Sequence, residues 1–75
     1  HKLIFHFIDE FNQNHLNKLN KNISIIYRNY NKNYKESEVL QIKKYCLSNN
    51  RSLFIANDLY LANKLNLDGI YIPSF

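Results

Sequence analysis

Three observations place this sequence in the α/β class, with parallel strands and helices in alternation. Short runs that are apolar at consecutive positions, Leu53-Phe54-Ile55-Ala56 the clearest, read as strands buried on both faces, which is the habit of parallel sheets covered by helices. Between these runs, apolar residues recur at helical spacing. The units follow one another as βαβαβαβ, and strands separated by single helices in this way pair in parallel through right-handed crossovers.

Leu3 to Ile8 is the first strand, interrupted only by His6 and closed by Asp9-Glu10. With no second histidine close in sequence, His6 is expected to be packed and hydrogen-bonded rather than a base or metal ligand. Phe11, His15, Leu16 and Leu19 then mark a short amphipathic helix, with His15 as a partly exposed member, ended by Asn20-Lys21-Asn22.

Ile23 to Tyr30 is the second strand, with Ile23, Ile25 and Tyr27 on one face and Ser24, Ile26, Arg28 and Tyr30 on the other. Asn33 followed three residues later by Glu36 has the layout of a capping box, so a helix is expected next. Its stripe is Val39, Ile42 and Cys46 flanked by Leu40 and Leu47, its solvated side Glu38, Gln41, Lys43 and Lys44, and its end Ser48-Asn49-Asn50. The third strand, Leu53 to Asn57, passes into Asp58, which is placed to cap a helix carrying Leu61, Ala62 and Leu65. A Leu67-Asp68-Gly69 turn, with Gly supplying backbone freedom, leads to a fourth strand, Ile70 to Ile72, halted by Pro73.

The 75 residues suit one small domain with a thin core, burying roughly 60% of its surface. Opening at His1 rather than Met and closing at Phe75 just after a strand, the sequence is expected to be part of a longer chain. Ten Lys and Arg against six Asp and Glu give a net charge of +4, yet thirteen Asn and abundant Lys, Ile and Tyr point to compositional bias. Nucleic acid is therefore not the expected partner. Cys46 stands alone, which excludes an intrachain disulfide and a multi-cysteine metal site and fits a reducing, cytoplasmic setting. No apolar run approaches the roughly 18 to 20 residues of a membrane span.

Ligands of parallel α/β folds are held at the carboxyl ends of the strands, which directs attention to Arg28 and to Asn57-Asp58. An Arg emerging from an otherwise apolar strand needs an anionic partner, and a phosphate or carboxylate at the sheet edge is a natural one. Capping alone would explain Asp58.

Ile25-Ile26-Tyr27-Arg28, Ala56-Asn57-Asp58 and Asp68-Gly69-Ile70-Tyr71 occur in order at consecutive strand positions. Together they resemble the thiamine-phosphate synthase family, including its TenI-type thiazole tautomerase branch. The resemblance implies a TIM (β/α)8 barrel of which residues 1–75 would be the N-terminal half, strands one to four. It implies an enzyme joining an aminopyrimidine methyl diphosphate to a thiazole phosphate with release of pyrophosphate, or the related tautomerase. Arg28 and Asn57 would then bind the phosphorylated substrate and Asp58 would hold Mg2+.

The family's second strand carries Gln, Arg and Lys at alternate positions, where this chain has Ile26, Arg28 and Tyr30. Its Asp-Gly-Val-His-Leu-Gly-Gln pattern appears as Asp68, Gly69, Ile70, Tyr71, Ile72, Pro73 and Ser74, without the His and Gln. These departures favour a divergent or tautomerase-like member over a standard synthase. The alternative from another class is a non-catalytic barrel relative that binds a phosphorylated ligand. On either reading the open edges of a half-barrel invite self-association, so a homo-oligomer is a further expectation.

Overall fold

Ile8, Tyr27, Ile55 and Ile70 lie side by side across four parallel strands, and this row forms the floor of the core. The computed structural model describes residues 4–29 and 34–73. Their elements are β1 (Ile4–Ile8), α1 (Gln13–Asn17), β2 (Ile23–Tyr27), α2 (Glu36–Ser48), β3 (Leu53–Ala56), α3 (Leu59–Lys64) and β4 (Gly69–Tyr71). The α/β class and the parallel βαβαβαβ order expected from the sequence are those observed. The expected starts or ends at Leu3, Tyr30 and Asn33, and Ser74 of the family pattern, lie outside the described residues.

The sheet runs β1-β2-β3-β4, in the order of the sequence. Each crossover therefore steps one strand in the same direction, and with a common hand every helix lands on the same face. The packing agrees. Ile8, Ile25, Tyr27, Leu53 and Ile55 form one cluster with Leu16 of α1, Val39, Ile42, Tyr45 and Cys46 of α2, and Leu61 and Ala62 of α3. Each fully buried Leu or Ile here stabilises by roughly 1.5–3 kcal/mol.

The opposite face has no helix among the described residues and carries aromatic side chains instead. Phe7, Ile26 and Phe54 share one row with Gly69. The rings of Phe5 and Phe54 meet edge to face at 5.5 Å, and those of Phe7 and Tyr71 at 5.2 Å. Under these rings Ile26 and Ala56 are buried, while Phe5 itself is 41% exposed.

Left-handed backbone explains three of the chain's asparagines. Asn50 and Asn66 adopt left-handed backbone, with φ of 55° and 54°, just past the ends of α2 and α3. At the first, Arg51 N–H donates to the Cys46 carbonyl (2.8 Å) and Asn50 N–H to that of Leu47 (3.4 Å). At the second, Leu67 N–H donates to Ala62 (2.9 Å) and Asn66 N–H to Asn63 (3.2 Å). Both are Schellman ends, with Asn in the place usually held by Gly. Asn57, with φ of 60°, turns the chain out of β3 in the same conformation.

Several details differ from expectation. Helix α1 spans only Gln13–Asn17, with Asn12 as its side-chain cap, because a five-residue helix persists only where tertiary contacts hold it. Helix α2 begins after Lys35, which makes no side-chain cap, and the Asn33 end of the expected capping box lies outside the described residues. Leu40 and Leu47 face outward, and Tyr45 takes the expected place in the stripe. Lys43 and Glu38 are not simply solvated: Lys43 Nζ donates to the Leu65 carbonyl at the end of α3, and Glu38 is half-buried against Tyr27. Gly69 serves by lacking a side chain, since its φ is not positive.

Candidate functional site

All four strands point their carboxyl ends toward one rim, as parallel pairing requires. Arg28 follows β2 immediately. Its backbone N–H continues the ladder by donating to the Ile8 carbonyl (2.8 Å), and its guanidinium lies 4.0 Å from the centroid of the Phe7 ring. Alternation along the strand puts Arg28 on the same face as Ile26, the aromatic one. Phe7 in turn meets Tyr71, whose carbonyl accepts from Asn57 N–H at 3.0 Å. The structure thus joins Arg28, Phe7, Tyr71 and the backbone of Asn57 in one contiguous stretch of the rim.

Stacking suits a guanidinium that is to bind oxyanions. The ring face stabilises the cation and fixes its plane, while the donors project from its edge in the fork that matches a carboxylate or phosphate.

Asp58 stands beside Asn57 as the cap of α3, where its Oδ1 accepts from Leu61 N–H at 2.9 Å. That engagement is the capping role read from the sequence. A carboxylate has about four lone-pair directions, so one such bond leaves acceptor capacity for a cation. Oxygen donors from Asn57 and Asp58 are of the kind a hard ion such as Mg2+ takes alongside water and phosphate oxygens. Among the described residues no group of three His, Cys, Asp or Glu is placed to hold a metal.

Beneath the rim, a polar network ties the strand ends together. Tyr34 Oη donates to the Ala56 carbonyl (2.8 Å) and accepts from Asn29 N–H (3.3 Å), while Asn29 Nδ2 donates to the Asp9 carbonyl (3.2 Å). Tyr27 Oη donates to Glu38 Oε1, and Glu38 Oε2 accepts from Phe11 N–H at 3.5 Å. Burial, with the Glu38 carboxylate beside it, raises the Tyr27 hydroxyl well above the usual phenol range. Tyr27 therefore acts here as a neutral donor.

Asp68, part of the family resemblance, lies at the opposite end of the sheet and is structural. Its Oδ2 accepts from Leu53 N–H (2.7 Å) and its own N–H donates to the Leu53 carbonyl (3.0 Å).

Two arrangements escaped the sequence reading. Arg51, only 8% exposed, sits just before β3 and donates to four carbonyls: Nη1 to Asn20 (2.7 Å) and Ile23 (2.9 Å), Nη2 to Leu16 (3.2 Å) and Leu19 (2.9 Å). It closes the end of α1 and the turn into β2, at the end of the sheet away from the rim. His6 and His15, read as separate residues, meet at their ring tips with Nε2 atoms 2.9 Å apart.

No protein-family model matches this chain, and no curated protein or solved structure matches it significantly.

Proposed function

We propose that residues 1–75 form the N-terminal half of a (β/α)8 barrel enzyme of the thiamine-phosphate synthase/TenI type, cytoplasmic, acting on a phosphorylated small molecule and not on nucleic acid. The observation that carries this reading is the stacked Arg28 at the carboxyl edge of a sheet ordered β1-β2-β3-β4. Doubly wound sheets reverse strand order to cover both faces, whereas consecutive order with helices on one face curls toward a barrel. The aromatic face then becomes the interior, four further strands would satisfy the edges of β1 and β4, and Arg28 faces the mouth.

In this reading Arg28 binds substrate phosphate oxygens, assisted by Asn57 at the rim. Asp58 would hold Mg2+, which when bound neutralises charge on a departing diphosphate. With Ile26 in place of the family's Gln, a tautomerase-like or otherwise divergent activity is favoured over the standard condensation. The Asp58 bond to Leu61 N–H favours a second reading, a non-catalytic barrel relative that binds phosphate through Arg28 and uses Asp58 only as a cap.

The test is calorimetric titration of the full-length protein with an aminopyrimidine methyl diphosphate and with a thiazole phosphate. Binding of either that weakens roughly 10- to 100-fold in Arg28→Ala, matching about 1.5–3 kcal/mol for charge-assisted hydrogen bonds, supports the reading. Absence of binding by the wild type, or an unchanged affinity in the variant, refutes it.

A further inference from the structure

His6 belongs to the helix-facing row of the sheet with Ile25 and Leu53, so the contact it makes with His15 of α1 lies on the side opposite Arg28. The two imidazole centroids are 5.0 Å apart and the ring planes are inclined at 43°. With Nε2 to Nε2 at 2.9 Å, this places the rings nearly tip to tip. Two unprotonated Nε2 lone pairs facing one another at that distance repel, so the neutral pair is held by one N–H···N hydrogen bond, one ring donating and the other accepting. A metal ion set to one side of the N···N line can replace that proton and take both nitrogens as ligands.

We propose that His6 and His15 form a two-imidazole site for a late first-row divalent ion, Cu2+ or Ni2+ rather than Zn2+ or Mg2+. The bite of the pair selects the ion. Metal–nitrogen bonds of about 2.0–2.1 Å spanning the observed separation enclose an angle of about 90°, the angle between adjacent positions in square-planar and octahedral shells. Tetrahedral zinc needs the nitrogens spread to about 3.3 Å. Magnesium prefers oxygen donors.

The setting keeps positive charge welcome. His15 is exposed and His6 only half-buried, and the carboxylate residues Asp9 and Glu10 line the same cleft as His15. Among the described residues no third His, Cys, Asp or Glu completes the set. Because one ligand comes from β1 and the other from α1, the ion also ties the five-residue helix to the sheet.

The experiment is titration of tag-free, full-length protein with Cu2+, Ni2+, Zn2+ and Mg2+, read by calorimetry and by copper electron paramagnetic resonance. The expected result is one Cu2+ or Ni2+ per chain, nitrogen hyperfine structure from two imidazoles, and at least tenfold weaker binding in both His6→Ala and His15→Ala. His1→Ala should bind as the wild type does. A wild type that does not bind Cu2+ or Ni2+, a spectrum with a single imidazole, or full affinity in His15→Ala would show that the pair shares a proton only. The resonance spectrum is read on the wild type, so it decides the matter even where a variant fails to fold.

Discussion

The ring of Phe54 lies directly over Gly69, so close that a methyl group at Gly69 would come within 2.9 Å of ring carbons Cδ1 and Cε1. These residues are register partners across β3 and β4 on the aromatic face. Phe54 fills the space that Gly69 leaves and carries the edge-to-face contact with Phe5. Gly69→Ala must displace that ring. The expected cost is roughly 1–3 kcal/mol, as for overpacking. Truncating the ring removes the clash, so Gly69→Ala in a Phe54→Ala background should cost much less. A double-mutant cycle by urea denaturation measures the coupling, and additive effects would show that the ring does not constrain Gly69.

Arg51 should contribute more to stability than any other charged side chain described. Arg51→Met keeps much of the side-chain volume but removes four hydrogen bonds from a charged donor to buried and part-buried carbonyls, an expected loss on the order of 3 kcal/mol. Arg51→Lys should recover part of that, since an ammonium carries three donors on one nitrogen and cannot fork to both pairs of carbonyls. Hydrogen exchange should localise the damage to the segment from Leu16 to Ile23. Uniform loss of protection across the whole chain would argue against this clamp.

How far the sequence discloses the molecule depends on how local each cause is. The strands and helices are legible because a run such as Leu53–Ala56 or a stripe such as Val39, Ile42 and Cys46 carries its own period. The places of Arg28, Asn57 and Asp58 at strand ends follow from the same alternation. The Arg51 clamp does not: its acceptors are backbone carbonyls 28 to 35 residues away, and any sequence offers carbonyls there. Lys43 and Glu38 look solvated on a helical projection, yet each reaches a group on a neighbouring element. The use of Asn50 and Asn66 where Gly is customary is hidden by the abundance of Asn.

Cys46 makes the stability of the fold sensitive to alkaline pH. Burial pushes its thiol up from 9.0 to about 11, against a smaller opposing pull from Arg51. The folded state therefore holds this proton more tightly than the unfolded state. The resulting stabilisation is complete below pH 9.0 and is lost as pH rises through about 11. Tyr27, raised in the same direction, adds to the loss. Denaturation midpoints should fall across that interval, and Cys46→Ala should fall less steeply than the wild type. At neutral pH the thiol should react with a disulfide reagent only as fast as the chain opens. Rapid modification of the native protein at pH 7 would contradict this burial.

Asp58 separates the enzyme reading from the binding reading because its two roles respond differently to one substitution. Asn caps a helix about as well as Asp, so Asp58→Asn should keep the bond to Leu61 N–H and leave the fold intact. What it removes is the negative charge. If Asp58 holds Mg2+ between the rim and a diphosphate, ligand affinity in the wild type should rise with added Mg2+, and in Asp58→Asn that rise should vanish while the metal-free affinity through Arg28 persists. Arg28→Ala should show the reverse pattern, weak binding without metal and a remaining response to Mg2+. Titrations of both variants with the aminopyrimidine diphosphate, with and without Mg2+ and at constant ionic strength, measure the two effects separately. An unchanged metal dependence in Asp58→Asn would leave Asp58 as a cap alone.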